Sequence, residues 1–322
     1  MTNDVEIMMQ RSVKKTVLEL CAGGGGQFLG LEQAGFDCVG AVEIEESYCK
    51  TLKHNRPNLN VINDDLKTFN ASNFSGVDLV AGGVPCPPFS VAGKQLGKND
   101  ERDLFPYALK IIKTVSPKAV LLENVAGLSS NKFKDYRSNI LKKLEKMGYS
   151  SDWKILNASN FGVPQLRPRF LLVAVKNELK ECFKWPEPIS DRISVGEALV
   201  DLMAENKWRG AIKWSERANN VAPTLVGGSK KHGGPDLGPT RAREQWKLLG
   251  VDGRGIADSA PDYKFPLNGL PKLTIRMTAR VQGFPDSWVF PTGKTLAYRQ
   301  IGNAFPPAVA SAVGRQILKA IG

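Results

Sequence analysis

Residues 77–90 of this chain read VDLVAGGVPCPPFS. The first five form a short apolar run, with the length and flanks of a buried parallel strand. Ligands and reacting groups gather beyond the carboxyl ends of such strands, so Cys86 is predicted to lie at a functional edge. Prolines at 85, 87 and 88 fix the backbone around it and remove amide donors. A cysteine considered alone is more often a small core residue than a nucleophile. Assigning Cys86 as a nucleophile therefore needs support from other segments.

Composition narrows the possible partners and the compartment. The 322 residues carry 44 Lys and Arg against 32 Asp and Glu, a net charge of +12. That excess of positive charge favours a polyanionic partner. An anionic membrane surface is less consistent with the sequence, because no long basic amphipathic helix is visible. No signal peptide or membrane-length apolar run is visible, so we expect a cytoplasmic protein without a membrane partner. Five cysteines without paired spacing predict reduced thiols and neither disulfides nor a metal site.

The N-terminal part predicts a strand, a glycine turn and a helix. Residues 16–22 are strand-like, residues 23–26 are all glycine, and residues 27–34 have helical character. Glycines at this place let the backbone approach a ligand at the helix N-terminus. Phe28 and Leu29 stand where the dinucleotide fingerprint would have its third glycine, which disfavours a pyrophosphate cofactor.

Two acids follow the next predicted strands. Glu43 ends the strand at residues 37–42, and Asp65 follows the short strand at residues 60–62. A carboxylate at the first place can accept hydrogen bonds from ribose hydroxyls, and one at the second can accept from an adenine amino group. Each acid alone could be a solvated strand end, but together they outline a nucleoside pocket.

Strands and helices continue to alternate up to residue 176, as a doubly wound, mostly parallel sheet requires. Residues 91–103 are long for a βα connection and predict a functional lid. The strand at 118–122 ends on Glu123, which places this acid on the same edge as Cys86. We therefore predict a catalytic and cofactor-binding domain at 1–176, to which residues 273–322 return.

Residues 177–272 have a different character and predict a second, smaller, irregular and β-rich domain. The alternation stops there, and glycine, proline and isolated tryptophans become frequent. Between residues 207 and 247 nine basic residues stand against three acidic ones. Basic residues among aromatics suit a nucleic-acid surface, although a solvated loop is nearly as consistent with charge alone. The candidate DNA-binding residues are Lys230, Lys231, Arg241 and Arg243.

Motifs in the order of one known family run along the chain. After the glycine turn come the Pro-Cys turn, Glu-Asn-Val at 123–125, Gln-x-Arg-x-Arg at 165–169 and Gly-Asn-Ala at 302–304. Together they resemble the DNA (cytosine-5)-methyltransferases of bacterial and phage restriction-modification systems. The resemblance implies an α/β fold of the class I S-adenosylmethionine-dependent type, with a target-recognition domain between the two parts of the catalytic domain.

The resemblance also implies roles for individual residues. Cys86 would be the nucleophile, Glu123 the acid beside it, and Arg169 with Arg167 would hold the target base. Arg276 and Arg280 match a motif of structural support at the junction with the recognition domain. The implied contacts of the cofactor S-adenosyl-L-methionine are Cys21, Gly23, Gly25, Glu43, Ile44, Asp65, Leu66, Gly83, Leu104 and Asn303.

Two positions depart from the family pattern. Cys21 stands where members usually have an aromatic residue, so packing on the cofactor adenine must be weaker or supplied elsewhere. Pro87 stands where members often have glutamine, and proline has no backbone N–H to offer DNA or an extruded base. Neither departure removes a reacting group.

The activity implied is methyl transfer to C5 of a flipped cytosine in a specific duplex DNA sequence. A monomer acting separately from a cognate restriction endonuclease is expected. Two alternatives remain open at this point: a tRNA cytosine-5 methyltransferase, which a recognition segment of this length disfavours, and a non-catalytic DNA-binding relative.

Overall fold

The computed structural model describes residues 14–85, 103–189, 191–228 and 234–322. Its centre is a seven-stranded sheet with strand order β3-β2-β1-β4-β5-β7-β6. Strands β1 to β5 are parallel to one another, whereas β7 runs antiparallel to both β5 and β6. The strands are β1 (Thr16–Leu20), β2 (Asp37–Val42), β3 (Val61–Ile62), β4 (Leu79–Gly82), β5 (Ala119–Val125), β6 (Tyr149–Asn157) and β7 (Pro168–Lys176).

Helices cover both faces of this sheet, which confirms the predicted doubly wound α/β fold. Helix α3 buries its apolar stripe against β4 and β5, and its Phe105, Ile112 and Val115 are almost inaccessible to solvent. On the other face α10 packs along α1 and buries Val309, Val313 and Ile317. One helix follows each of the strands β1, β2, β4 and β5. These helices are α1 (Gly26–Ala34), α2 (Glu46–Asn55), α3 (Phe105–Val115) and α4 (Lys134–Lys146), and the last helix of the chain is α10 (Pro307–Ile321).

The prediction that residues 177–272 are β-rich is wrong for the part of them that the structure describes. This part contains three α-helices and a short 3-10 helix at Asn177–Leu179, and its only β-pairing consists of isolated bridges. Helix α5 has a capping box, in which Ser194 and Glu197 bond each other's backbone N–H, and it buries Leu199, Leu202 and Met203. The frequent glycines and prolines obscured this helical spacing. The helices are α5 (Val195–Ala204), α6 (Ala211–Arg217) and α7 (Thr240–Leu248).

Two further helices connect this segment to the C-terminal part of the chain, α8 (Ile275–Val281) and α9 (Lys294–Asn303). Their side chains share one apolar core with Trp208, Trp214 and Trp246. On α8, Arg276 and Arg280 both pair with Asp286. Arg280 also pairs with Asp201 of α5, and Arg276 with Glu205 directly after the end of α5. Both arginines therefore have a structural role, because they link α8 to the segment at residues 177–272. The domain boundaries at 176 and 272 remain a prediction.

Candidate active site

The strand register brings four of the predicted residues to one level of the sheet. Leu20 of β1 pairs with Val42 of β2 and with Gly82 of β4, and Gly82 pairs with Leu122 of β5. The residue after each of these is, in turn, Cys21, Glu43, Gly83 and Glu123. They therefore lie side by side at the carboxyl edge, where β1 and β4 lead to helices on opposite faces and open a crevice.

Glu123 forms an ion pair with Arg169 at this edge. Glu123 Oε1 lies 2.8 Å from Arg169 Nε, and only 12% of either side chain is exposed. The antiparallel register of β5 and β7 places Arg169 opposite Val125, which follows Glu123 by two residues and faces the same side of the sheet. Burial raises the pKa of Glu123, and the positive charges of Arg169 and Arg167 only partly offset this. The acid can thus hold a proton more readily than an exposed glutamate, with a guanidinium group beside it.

Arg167 has a structural position, and the expectation that it holds the base together with Arg169 is not supported. Its side chain is completely buried. One terminal nitrogen donates to Leu225 O at 2.8 Å, and the other donates to Gly302 O at 2.6 Å and Ala304 O at 3.0 Å. The guanidinium group is therefore committed to the backbone of two other segments, which leaves Arg169 as the arginine available for a base.

We expect Arg167→Met to destabilise the folded chain by about 2–4 kcal/mol, because it leaves buried carbonyl groups without a donor. Urea unfolding followed by circular dichroism measures this change. Arg254→Met is the matched control, since Arg254 forms an exposed pair with Asp252 and its loss should change stability far less than the loss of Arg167. Equal effects of the two substitutions would contradict the structural role of Arg167.

Three predicted residues lie outside the described residues: Cys86, Lys230 and Lys231. The same holds for the predicted lid apart from its last residue, Asp103. The chain enters and leaves this region at adjacent points, because the Leu104 amide donates to Pro85 O at 3.1 Å. Asp103 is fixed by hydrogen bonds from Tyr136 Oη at 2.6 Å and the Phe105 amide at 3.1 Å.

A cavity, here called the edge pocket, opens beside Glu123. Its walls are formed by residues of the glycine turn between 21 and 27, by residues of the 300–305 segment, and by Glu19, Tyr48, Gly83 and Glu123. Of the predicted cofactor residues, it contains Cys21, Gly23, Gly83 and Asn303. The backbone of Cys21 is left-handed, with φ of 52°, a strained conformation that non-glycine residues retain mainly at functional sites.

The other predicted cofactor residues lie around the edge pocket rather than in its wall. Glu43 accepts hydrogen bonds from the Gly23 amide at 2.7 Å and the Glu45 amide at 2.8 Å, which joins the glycine turn to the start of α2. Ile44 beside it is 58% exposed, and Asp65 is half-buried. These three residues remain candidates for a nucleoside next to the pocket.

Gly25, Leu66 and Leu104 have structural surroundings. Gly25 has φ of 87°, and a Cβ atom there would come within 2.5 Å of the Trp288 ring, so only glycine fits this turn. Leu66 is buried and Leu104 is half-buried, and both belong to the core around α3. Their predicted contacts with a cofactor are not supported by this arrangement.

Sequence reasoning missed two polar residues in the pocket wall, Glu19 and Gln27. Both are buried, and none of their side-chain oxygen or nitrogen atoms has a hydrogen-bond partner among the described residues. Unpaired buried polar groups are costly unless a ligand or water satisfies them. Glu19 stands between the apolar residues Leu18 and Leu20 of β1, and that break in the pattern was the signal that could have identified it.

We expect Glu19→Gln to remove a loss of stability that the wild type shows as pH rises from acidic values to about 8. Burial raises the pKa of Glu19 from its ordinary 4.5 to about 8, so the folded state keeps a proton that the unfolded state releases above pH 4.5. Stability must then fall as pH rises from about 4.5 to about 8, by up to a few kcal/mol at about 1.4 kcal/mol per pKa unit. Melting temperatures of both proteins from pH 5 to pH 8.5 test this, and parallel curves would contradict it.

The remaining DNA-binding candidates, Arg241 and Arg243, lie on α7, which the buried Trp246 fixes to the core. Arg241 is exposed, and Arg243 donates to Thr240 Oγ1 at 3.3 Å. Nothing in these contacts prevents either side chain from reaching an anionic partner.

Two features are absent from the described residues. No group of three or more histidine, cysteine or acidic side chains there could hold a metal ion. None of the helices found in those residues combines the length and apolar character needed to cross a bilayer.

A sheet of this order, with its antiparallel β7 and a pocket at the β1 and β4 edge, is the fold of class I methyltransferases. The family profile described as C-5 cytosine-specific DNA methylase matches residues 15–319. The fission yeast (S. pombe) Dnmt2 methyltransferase superposes with a TM-score of 0.65 at 20% identity, covering 95% of this chain and 98% of that one, which supports the fold alone.

Two relatives are much more similar in sequence. Type II methyltransferase M.NgoMIV of Neisseria gonorrhoeae is 54% identical over 309 residues, which cover 95% of this chain and 98% of the relative. Type II methyltransferase M.NaeI of Lentzea aerocolonigenes is 52% identical over 309 residues, which cover 95% of this chain and 75% of the relative. The chain belongs to the C-5 cytosine-specific DNA methylase family, and it is an enzyme that methylates cytosine in DNA at C5.

Proposed function

We propose that this enzyme transfers a methyl group from S-adenosyl-L-methionine to C5 of a flipped cytosine in a specific duplex DNA sequence, through a covalent bond between Cys86 and C6. The observation that carries this proposal is the buried pair of Glu123 and Arg169, which adjoins the edge pocket beside Gly83. Gly83 lies three residues before Cys86 in the chain. A Cβ atom on Gly83 would lie 3.2 Å from Glu123 Oε2, so the connection that continues to Cys86 passes directly beside the acid.

The edge pocket fits the cofactor chemically. Its glycine turn brings backbone without side chains into the wall, and the unpaired Glu19 and Gln27 offer hydrogen-bonding groups to the amino-acid part of the molecule. Gly23, Gly83 and Asn303 would line this part, with Cys21 at the strand end, while Glu43, Ile44 and Asp65 would contact the nucleoside. The bound cofactor supplies an electrophilic methyl group.

The cysteine and the acid pair divide the chemistry of the base between them. C5 of cytosine is a poor nucleophile, and addition of the Cys86 thiolate to C6 moves electron density towards it. Negative charge then builds on N3 and O2, where Glu123 provides a proton and Arg169 a positive charge. Once C5 carries the methyl group, its proton is lost to a base and β-elimination breaks the bond between sulfur and C6.

None of these groups can reach C6 inside a stacked duplex. The target nucleotide must rotate out of the helix, at a cost of a few kcal/mol for the lost stacking and pairing. Contacts with the flanking DNA offset that cost, and we assign them to the recognition segment at residues 227–243, which contains Lys230, Lys231, Arg241 and Arg243.

The biological setting we propose is modification in a Type II restriction-modification system, because M.NgoMIV and M.NaeI are both named Type II methyltransferases. The enzyme would protect DNA as a monomer, separately from a cognate endonuclease.

Transfer of labelled methyl groups to duplex DNA and to total tRNA, followed by bisulfite sequencing of DNA from expressing cells, tests the activity. We expect label in DNA alone and conversion-resistant cytosines in one short sequence context. Label confined to tRNA, or no label in either nucleic acid from folded protein, would contradict the proposal.

A further inference from the structure

Tyr48 lines the edge pocket, although it belongs to none of the motifs found in the sequence. It lies in the first turn of α2, where its amide donates to Glu45 O at 2.8 Å. The carboxylate of Glu43 bonds both the Glu45 and the Gly23 amides, so the start of α2 is tied to the glycine turn. The position of Tyr48 relative to that turn is therefore fixed by direct contacts.

The ring of Tyr48 differs chemically from the rest of the wall. The glycine turn contributes mostly backbone, and Cys21 contributes a small side chain. Phe305, the other aromatic residue of the wall, is 4% exposed and packs into the core beneath the sheet. Tyr48 is half-buried, which leaves part of its surface for a ligand.

The phenol group is suited to donate a hydrogen bond to that ligand. Among the described residues, its hydroxyl has no hydrogen-bond partner. Burial raises the pKa of Tyr48 to about 12, an effect that the nearby positive charge of Arg299 only partly offsets, so the hydroxyl keeps its proton at neutral pH. A protonated phenol in partly apolar surroundings pairs best with an anionic oxygen.

The position of the ring indicates which part of the cofactor it meets. Tyr48 shares the edge pocket with the glycine turn and with Asn303, whereas the candidates for the nucleoside, Ile44 and Asp65, lie outside it. We propose that Tyr48 binds the amino-acid part of S-adenosylmethionine, with its ring packed against the aliphatic chain and its hydroxyl donating to the carboxylate. This inference rests on the proposed function, because its ligand is the proposed cofactor.

Direct calorimetric binding to the purified full chain tests the assignment without turnover. We use two probes, S-adenosylhomocysteine and 5′-methylthioadenosine, which lacks the amino-acid part. Tyr48→Ala should weaken S-adenosylhomocysteine binding at least about tenfold and leave methylthioadenosine binding unchanged. Tyr48→Phe should weaken S-adenosylhomocysteine binding by about threefold to tenfold, the share of one hydrogen bond.

Tyr263→Ala is the matched control, since Tyr263 is 60% exposed and does not line the pocket, and it should bind both probes like the wild type. Wild-type affinity for S-adenosylhomocysteine in Tyr48→Ala, or an equal loss for both probes, would overturn the assignment while DNA methylation by the wild type upholds the proposed function. A wild-type protein that neither binds S-adenosylhomocysteine nor methylates DNA would overturn the proposed function itself.

Discussion

Replacing Cys86 with serine should lower the rate of methyl transfer to duplex DNA at least about 1000-fold while leaving affinity for S-adenosylhomocysteine within a few fold. A serine hydroxyl remains protonated near neutral pH and is a far weaker nucleophile than a thiolate, so C5 is no longer activated. The pocket residues Gly23, Tyr48 and Asn303 are untouched by the change, which is why binding should survive. Single-turnover transfer of labelled methyl groups and calorimetric binding measure the two quantities.

Covalent capture gives an independent test of the same bond. Duplex oligonucleotides with 5-fluorocytosine at the target position have no proton to lose from C5, so the adduct with Cys86 should accumulate and resist denaturation. Cys182→Ser is the matched control, because Cys182 is an exposed cysteine outside the edge pocket, and it should form the adduct like the wild type. Substantial turnover by Cys86→Ser, or an adduct on another cysteine, would refute the assigned nucleophile.

Replacing Glu123 with glutamine should slow methyl transfer by about 100-fold to 10,000-fold with DNA affinity close to that of the wild type. The amide oxygen of glutamine can still accept the hydrogen bond from Arg169 Nε, which preserves the geometry of the pair at the sheet edge. What the substitution removes is the proton that Glu123 provides as charge develops on N3. The rate constant of a single turnover and the dissociation constant of a duplex oligonucleotide separate these effects.

Glu145→Gln provides the comparison for this substitution, since Glu145 is exposed on α4 and should leave both quantities unchanged. A fall in DNA affinity as large as the fall in rate would mean that Glu123 positions the base rather than stabilising the reacting state.

The sheet and its helices could be predicted from the sequence because buried parallel strands are short apolar runs. The helices between them differ from the strands in the spacing of their apolar residues. The same logic placed Glu123 at the carboxyl edge of the sheet, since the carboxyl ends of neighbouring parallel strands meet there. The secondary structure of residues 177–272 was predicted wrongly because α5 and α7 are short helices. The glycines and prolines around them are turn signals, and these outweigh the helical pattern of so few residues.

Side-chain roles were harder to predict than backbone positions. A motif with two arginines does not show which of them points into the crevice, and only the backbone oxygens of Leu225, Gly302 and Ala304 reveal that Arg167 is committed elsewhere. Tyr48 has no recognisable motif around it, and it reaches the pocket only because Glu43 bonds two amides 22 residues apart, at positions 23 and 45.

The end of α9 packs backbone to backbone against the chain that leads into the recognition segment. A Cβ atom on Gly302 would lie 2.4 Å from the Gly227 amide nitrogen, and Asn303 Nδ2 donates to Gly228 O at 3.2 Å. The edge pocket and the start of the proposed recognition segment thus share one wall. A chimaera that takes its sequence specificity from a relative should therefore retain residues 225–228 of this chain, because a graft starting before them would alter cofactor affinity along with the sequence that is methylated.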